Sequence, residues 1–391
     1  MAPKKPLPYL WQQPGWPALT FDHERVGAAL AEARRMQGLV EGKAQAIGLE
    51  HDGLIARSVM EAEVVATAAI EGEKLDPEAV RSSVMRGLGL TTSGPRDRSV
   101  DGLVGVINDA SKGSDQPLDD ERLYRWQSAL FPGGTSGLRR IAVGRYRDHE
   151  DPMQIVSGPP FKEVVHYEAP PSRKVPAEMR RLLAWFARTR PTPERPPKID
   201  GLARAAVAHL WFETIHPFED GNGRIGRALV DMALAQDHGS SIRLYSLSRQ
   251  LLESRGSYYD ALNAAQRGNG DVTDWVIWFA QQYALACARS SQLIDGAIEK
   301  ARFWAEHANA EINERQRKVL QRLLDDGDGG FLGGLNAEKY IKLTHTSKPS
   351  ATRDLGDLVK QGLLWTQGQG KALRYYVAVP GWTHGVDRAS R

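Results

Sequence analysis

The 391-residue chain carries 51 lysines and arginines against 48 acids, a formal net charge of +3 and a pI near 8.8, too mild a basic balance to point to nucleic acid by itself. Hydrophobic residues make up 41% and charged residues 25%, enough apolar material for a sizeable core, and the length points to two or three domains. The single cysteine, Cys287, excludes a disulfide framework or a cysteine-rich zinc site within one chain and fits a reducing compartment. No apolar run reaches the ~20 residues of a membrane span. The opening Met1-Ala-Pro-Lys-Lys-Pro lacks the apolar stretch of a signal peptide. A soluble cytoplasmic protein with no membrane partner is expected.

The first twenty residues are rich in Pro and Trp, as in Tyr9-Leu-Trp-Gln-Gln-Pro-Gly-Trp-Pro17, and disfavour helix. A helical pattern begins near Asp22, with Val26, Ala29, Leu30 and Ala33 on one face. A second helix is expected from about Leu54 to Glu71, stopped by Gly72. Residues 91–98 read as loop, and helices follow near 99–110 and 119–130. The Gly- and Pro-rich stretch 132–172 reads as a long loop carrying a hairpin, with one strand signal at Val164-Val-His-Tyr167. A helix over 176–189 and a proline-rich break over 191–197 come next. Asp200 is placed to cap a helix reaching Ile215, and after a glycine-rich turn a second helix runs from Arg224 to about Gln236. Further helices are expected at 248–266 and 272–308. The last segment reads as helices at 313–325, 336–342 and 347–361, then two short runs around Gly368-Gln-Gly370, the order of a winged helix-turn-helix.

The chemistry concentrates in His216-Pro-Phe-Glu-Asp-Gly-Asn-Gly-Arg-Ile-Gly-Arg227. Gly221, Asn222 and Gly223 lie where a loop enters a helix, and glycines there let backbone N–H groups approach an anion. Arg224 and Arg227 project from neighbouring positions of that helix and favour a phosphate-rich ligand. Ile225, Ala228, Leu229 and Met232 form its buried face, with Arg227 roughly opposite. Asp220 is a hard oxygen donor suited to Mg²⁺ held partly by substrate phosphates. His216 is the natural general base at neutral pH, and Phe218 anchors the loop in the core. Together these residues make a phosphoryl- or nucleotidyl-transfer site.

The string resembles the signature of the Fic family, His-x-Phe-x-Asp/Glu-Gly-Asn-Gly-Arg-x-x-Arg, at every fixed position. The resemblance implies a mainly α protein: a helical catalytic core with a short β-hairpin. It also implies transfer of AMP from ATP to a Ser, Thr or Tyr hydroxyl of a target protein, self-modification included. His216 would deprotonate the hydroxyl, Asp220 would bind Mg²⁺, and the Gly221-Asn222-Gly223 loop with Arg224 and Arg227 would hold the triphosphate. Gly144-Arg-Tyr-Arg147 and the strand Val164, Val165, His166 and Tyr167 resemble the family's flap, which aligns a target by strand pairing; a surface hairpin without a partner is the other reading. Residues 248–266, with Tyr258, Tyr259 and Asn263, resemble the segment closing the adenine pocket, and the two tyrosines fit the core equally well.

Val64, Thr67, Ala68 and Glu71 share one helix face, so Glu71 extends an apolar stripe with a carboxylate. It also sits at a helix C-terminus, where the macrodipole disfavours negative charge and a cation should compensate. Thr67-Ala-Ala-Ile-Glu71-Gly72 resembles the family's inhibitory motif, which implies that Glu71 pairs with Arg227 and blocks the γ-phosphate. Residues 9–50 resemble a segment often attached to Fic proteins, expected to pack on the core and help set a homo-oligomeric state. The expected division is 1–95 with the inhibitory helix, 96–308 catalytic, and 309–391 winged helix. In that last part Lys348, Ser350, Thr352, Arg353, Lys360, Lys371 and Arg374 offer contacts to DNA, diluted by Asp354 and Asp357. Two other functions fit the same residues: removal of AMP or transfer of another phosphate-containing group, and a nucleotide-sensing DNA-binding regulator.

Overall fold

The computed structural model describes residues 9–46, 53–91, 93–157, 164–192, 197–239, 243–328 and 333–382, with backbone alone for 53–55. The signal-peptide question at 1–8, and parts of the expectations over 9–50, 91–98 and 191–197, lie outside the described residues. The chain divides into two compact units, Met1–Ser291 and Gln292–Arg391. No described helix is long and apolar enough to cross a membrane.

The first unit runs α1 (His23–Ala46), α2 (Gly53–Ile70), α3 (Pro77–Gly87), α4 (Arg98–Lys112) and α5 (Asp120–Leu130). The strand pairs β1 (Thr135–Ser136) with β2 (Arg139–Arg140) and β3 (Gln154–Ser157) with β4 (Val164–Glu168) follow, both antiparallel. Then come α6 (Val175–Arg188), α7 (Gly201–Ile215), α8 (Asn222–His238), α9 (Leu247–Glu253) and α10 (Arg255–Gln266), and the unit ends within the long α11 (Thr273–Glu306). α7 is the axis. Its sequence is mostly apolar around the whole circumference, broken by Arg204, His209 and Glu213, and every residue of it is buried. Asp200 caps it by accepting from the N–H groups of Leu202 and Ala203. α8 lies along α7, with α2, α4 and α5 against α8 and α6 and α10 against α7.

Most expected elements stand, with three differences. α3 was not anticipated, although its start is written in Asp76-Pro77: Asp76 accepts from Glu78 and Ala79, and Pro77 takes the first turn. The single helix expected over 248–266 turns a corner at Ser254, where the Gln250 amide and the Ser254 hydroxyl both donate to Gln282 Oε1. The N-terminal arm contains a 3-10 turn at Leu10–Gln12 and is pinned by its tryptophans. Trp11 Nε1 donates to the Glu168 carbonyl at 2.8 Å and Trp16 Nε1 to Glu178 at 2.9 Å.

The second unit holds α12 (Glu314–Asp326), α13 (Ala337–Thr344), α14 (Lys348–Lys360) and the antiparallel pair β5 (Leu364–Gln367) and β6 (Arg374–Val377). Leu320, Leu324, Tyr340, Leu355, Leu358 and Val377 close its core. Asp354 does not dilute the surface charge of α14. It points inward, 2% exposed, and is met by Arg315 at 3.0 Å, the Tyr340 phenol at 3.0 Å and the Asn313 amide at 3.1 Å.

Candidate active site

The site grows from the junction of α7 and α8. His216 ends α7 in the left-handed conformation, φ 49° and ψ 61°, which a side chain with a Cβ adopts only when its surroundings insist. Arg147 supplies much of that insistence. Its guanidinium donates to the carbonyls of His216 at 2.8 Å, Ile215 at 3.2 Å and Pro170 at 2.6 Å, and its own N–H to Pro217 at 2.9 Å. The Tyr167 phenol adds a bond to the Thr214 carbonyl at 2.6 Å. The open carbonyls at the C-terminus of α7 thus meet a buried cation and a phenol. Burial pushes the Arg147 guanidinium down to about 10, so it stays charged at neutral pH. Arg147, expected in the flap, instead braces the start of the His216–Arg227 loop.

Inside the loop Phe218 is fully buried. The Asn222 side chain bonds it on both sides, accepting from the Phe218 N–H at 2.9 Å and donating to its carbonyl at 2.8 Å. Gly221 has φ +87°, and a Cβ there would lie 2.9 Å from the Phe131 ring. Gly223 is the point of closest approach to α2, where a Cβ would meet Glu71 Oε1 at 2.2 Å. The Asp220 carboxylate accepts from the Ser136 hydroxyl and from the Gly221 N–H, and lies 3.8 Å from Arg224.

α2 covers the remaining side of α8. Arg227 donates from Nε to the Thr67 hydroxyl at 2.7 Å, and from Nη2 to the Thr67 carbonyl at 2.9 Å and Glu71 Oε1 at 2.7 Å. Its side chain is 4% exposed, so it does not lie on an open face as the periodicity of α8 alone implies. Burial disfavours its charge, but Glu71 more than restores it and holds the guanidinium above its ordinary value. Arg224 stacks on Phe131 and reaches Glu73 at 3.0 Å, a contact that the sequence reading missed. α2 is fixed further up by Glu63, which accepts from the Ser246 hydroxyl at 2.8 Å, the Ser248 N–H at 3.2 Å and the Ser248 hydroxyl.

A cavity of about 490 Å³ opens beside these groups. His216, Gly223, Arg227 and Glu71 line one side, Tyr258, Tyr259 and Asn263 another, and Ile155, Val156, His166 and Tyr167 of the hairpin a third. Tyr258 is core as well as wall: it is 2% exposed and its phenol meets His209 Nε2 at 2.7 Å. Tyr259 is 39% exposed. On the hairpin Val164 and Val165 face outward while Tyr167 is buried, and Arg267 occupies the His166 carbonyl at 2.6 Å.

Residues 117–234, from the approach to α5 through most of α8, match the Fic/DOC family. The chain carries a Fic/DOC domain. Residues 9–90, which include α2 with Thr67, Glu71 and Glu73, match a domain of unknown function, DUF4172. A probable protein adenylyltransferase of Aquifex aeolicus is 30% identical over 102 residues, 26% of this chain and 27% of that protein. A Caenorhabditis elegans protein adenylyltransferase, fic-1, is 35% identical over 71 residues, 18% of this chain and 13% of its own length. This chain thus spans about a quarter or less of these curated relatives. A Fic family protein from Desulfovibrio desulfuricans G20 has the same fold: 20% identity, TM-score 0.53, covering 92% of this chain and 98% of that one.

Within the Fic domain, Gly226 marks a second tight approach. A Cβ there would stand 2.5 Å from Glu213 Oε1 and 3.1 Å from the His209 ring. Gly226→Ala is therefore expected to crowd the α7–α8 contact at full burial and to cost about 1–3 kcal/mol. A shift of the denaturation midpoint in urea checks this, and an unchanged midpoint would show that the pair separates freely.

Proposed function

We propose that this protein transfers AMP from ATP to a hydroxyl of a protein side chain and is held in check by Glu71. The observation that carries the proposal is Arg227, on the wall of the cavity that also holds His216, engaged by Thr67 of α2 and by Glu71 in the turn that follows it. The names of the two adenylyltransferase relatives support the reaction class.

In this reading the triphosphate lies over the N-terminus of α8, against the Gly221–Gly223 backbone, Arg224 and Arg227. Asp220, one partly exposed carboxylate at that helix end, fits a Mg²⁺ that draws its other ligands from phosphate and water. The ion would neutralise charge on the phosphates. His216 takes the proton of an incoming Ser, Thr or Tyr hydroxyl. The hydroxyl oxygen bonds to the α-phosphorus, and the bond from that phosphorus to the bridging oxygen of the β-phosphate breaks, with pyrophosphate leaving. Ile155, Val156 and His166 of the β3–β4 hairpin border the cavity, and an extended target segment would lie along that hairpin. In this reading the chain divides into 1–95 with the inhibitory helix, 96–308 as the catalytic core and 309–391 as a winged helix-turn-helix.

Intact-mass analysis after incubation with ATP and Mg²⁺ tests the reading. A gain of one AMP is expected, strongest in Glu71→Gly and absent from Glu71→Gly/His216→Ala. No gain in Glu71→Gly on itself or on cell protein, with ATP bound, would point to removal of AMP or to another donor.

A second reading concerns the C-terminal unit, taken as a winged helix. With Asp354 turned inward, the open face of α14 presents Lys348, Arg353 and Lys360 against Asp357 alone. That charge balance favours phosphate contacts with duplex DNA. Lys348→Glu/Arg353→Glu is expected to weaken salt-sensitive duplex binding about tenfold or more, by anisotropy. Binding that is absent in wild type even at low salt would assign the unit to a protein partner.

A further inference from the structure

Glu213, on α7 one turn before His216, belongs to no part of the motif yet borders the cavity. It is 4% exposed, with Oε2 3.6 Å from His216 Nδ1. Among the described residues Glu213 Oε1, His216 Nδ1 and His209 Nδ1 all lack a hydrogen-bond partner. Arg227 from α8, Arg255, Tyr258, Tyr259 and Asp260 from α10, His166 and Tyr167 from β4 and Glu71 just after α2 are the other titratable groups around this space. Burial pushes the Glu213 carboxyl up, but His216, His209 and Arg227 outweigh it and hold the group below the usual carboxylate range. Oε1 lies on the side of Gly226 and the His209 ring, whereas Oε2 faces the His216 ring, and a buried carboxylate oxygen so placed calls for a donor.

We propose that Glu213 is a positioning residue that holds His216 with its Nδ1–H turned inward and leaves Nε2 free to accept the hydroxyl proton. The 3.6 Å separation is longer than a hydrogen bond, and it closes by a small rotation when nucleotide and hydroxyl fill the cavity. A carboxylate behind an imidazole fixes the tautomer and raises the basicity of the far nitrogen. Gly226 makes room for this: any side chain there would collide with Glu213. The kinetic part of the inference rests on the AMP-transfer reading; the tautomer part does not.

The first test uses the full-length wild type labelled with ¹⁵N-histidine, the His216 signals assigned by their loss in His216→Ala. The neutral ring is expected as the Nδ1–H tautomer, and an Nε2–H tautomer overturns the proposal. The second test compares Glu213→Gln with its parent in the Glu71→Gly background. Loss of the carboxylate is expected to lower kcat about 10- to 100-fold with KM for ATP unchanged. It also shifts the acid limb of the kcat–pH profile to lower pH, because the imidazolium loses its counter-charge. An unchanged kcat and limb, or a fall in kcat with the limb fixed and the melting temperature reduced in step, overturns the role. If Glu213→Gln does not fold, the tautomer decides. If Glu71→Gly transfers no AMP, the reaction reading fails and the tautomer still decides Glu213.

Discussion

Glu71→Gly is expected to raise the rate of AMP transfer about 10- to 100-fold over wild type. The substitution removes one charge-assisted hydrogen bond to Arg227, at 2.7 Å, and leaves the two bonds from Thr67 in place. A bond of that kind contributes about 1.5–3 kcal/mol. If it is what keeps Arg227 from the triphosphate, its loss raises the population of the competent state by the corresponding factor. The estimate is held to the lower part of what a buried pair could give, because the Glu71 side chain is about a third exposed and water competes for it. Glycine also clears the oxygen that lies against Gly223, so space as well as charge is released at the Gly221–Gly223 turn. The check is the initial rate of AMP incorporation at saturating ATP. A folded, ATP-bound Glu71→Gly protein no faster than wild type would remove Glu71 from regulation.

His216→Ala in the released background is expected to lower that rate by about 10²- to 10⁴-fold with ATP affinity retained. The prediction separates chemistry from structure because the neighbours grip the backbone of His216 rather than its ring: Arg147 bonds the carbonyl, and the ring's Nδ1 is unbonded. Removing the imidazole therefore leaves the loop braced. The left-handed φ of 49° is the complication, since alanine resists it by about 1–2 kcal/mol. His216→Asn is the matched control, because asparagine accepts that conformation more readily. Both variants should lose activity alike while Asn keeps more of the melting temperature. Activity that survives in either would mean that another group, or water alone, takes the proton.

What the sequence made legible follows from how local each feature is. The loop from His216 to Arg227 is contiguous, so its glycines, arginines and acid could be read as one phosphate-facing unit. The face shared by Val64, Thr67, Ala68 and Glu71 follows from helical period, and that face is buried against α8 up to Glu71 itself. Arg147, Glu73, Glu213 and Ser136 gave no such signal, because their partners lie on other elements or depend on a side-chain direction. Arg147 reaches carbonyls 68 and 69 residues away, and Glu73 meets an arginine 151 residues on. The surroundings of Arg227 were misread for the same reason: periodicity gives a helix one apolar face, while the fold wraps α8 on every side. The corner at Ser254 depends on Gln282, which lies 28 residues further along.

The attachment of α2 bears on how a lock of this kind would open. Glu63, two helical turns before Glu71, is clamped by two serines in a dry setting, whereas Glu71 sits beside Gly72 on the last, half-wet turn. That turn is closed by the N–H of Glu73 reaching back to Ala68 and the N–H of Gly72 to Ala69. The helix is thus bolted at its middle and only latched at its end. Unlatching then requires the unzipping of a single turn rather than a swing of the whole rod, a motion available in well under a millisecond. A partner that merely tugged on the segment after Gly72 would draw both carboxylates off their arginines at once, since Glu73 rides on the same thread as Glu71, and would leave Arg227 on Thr67 alone.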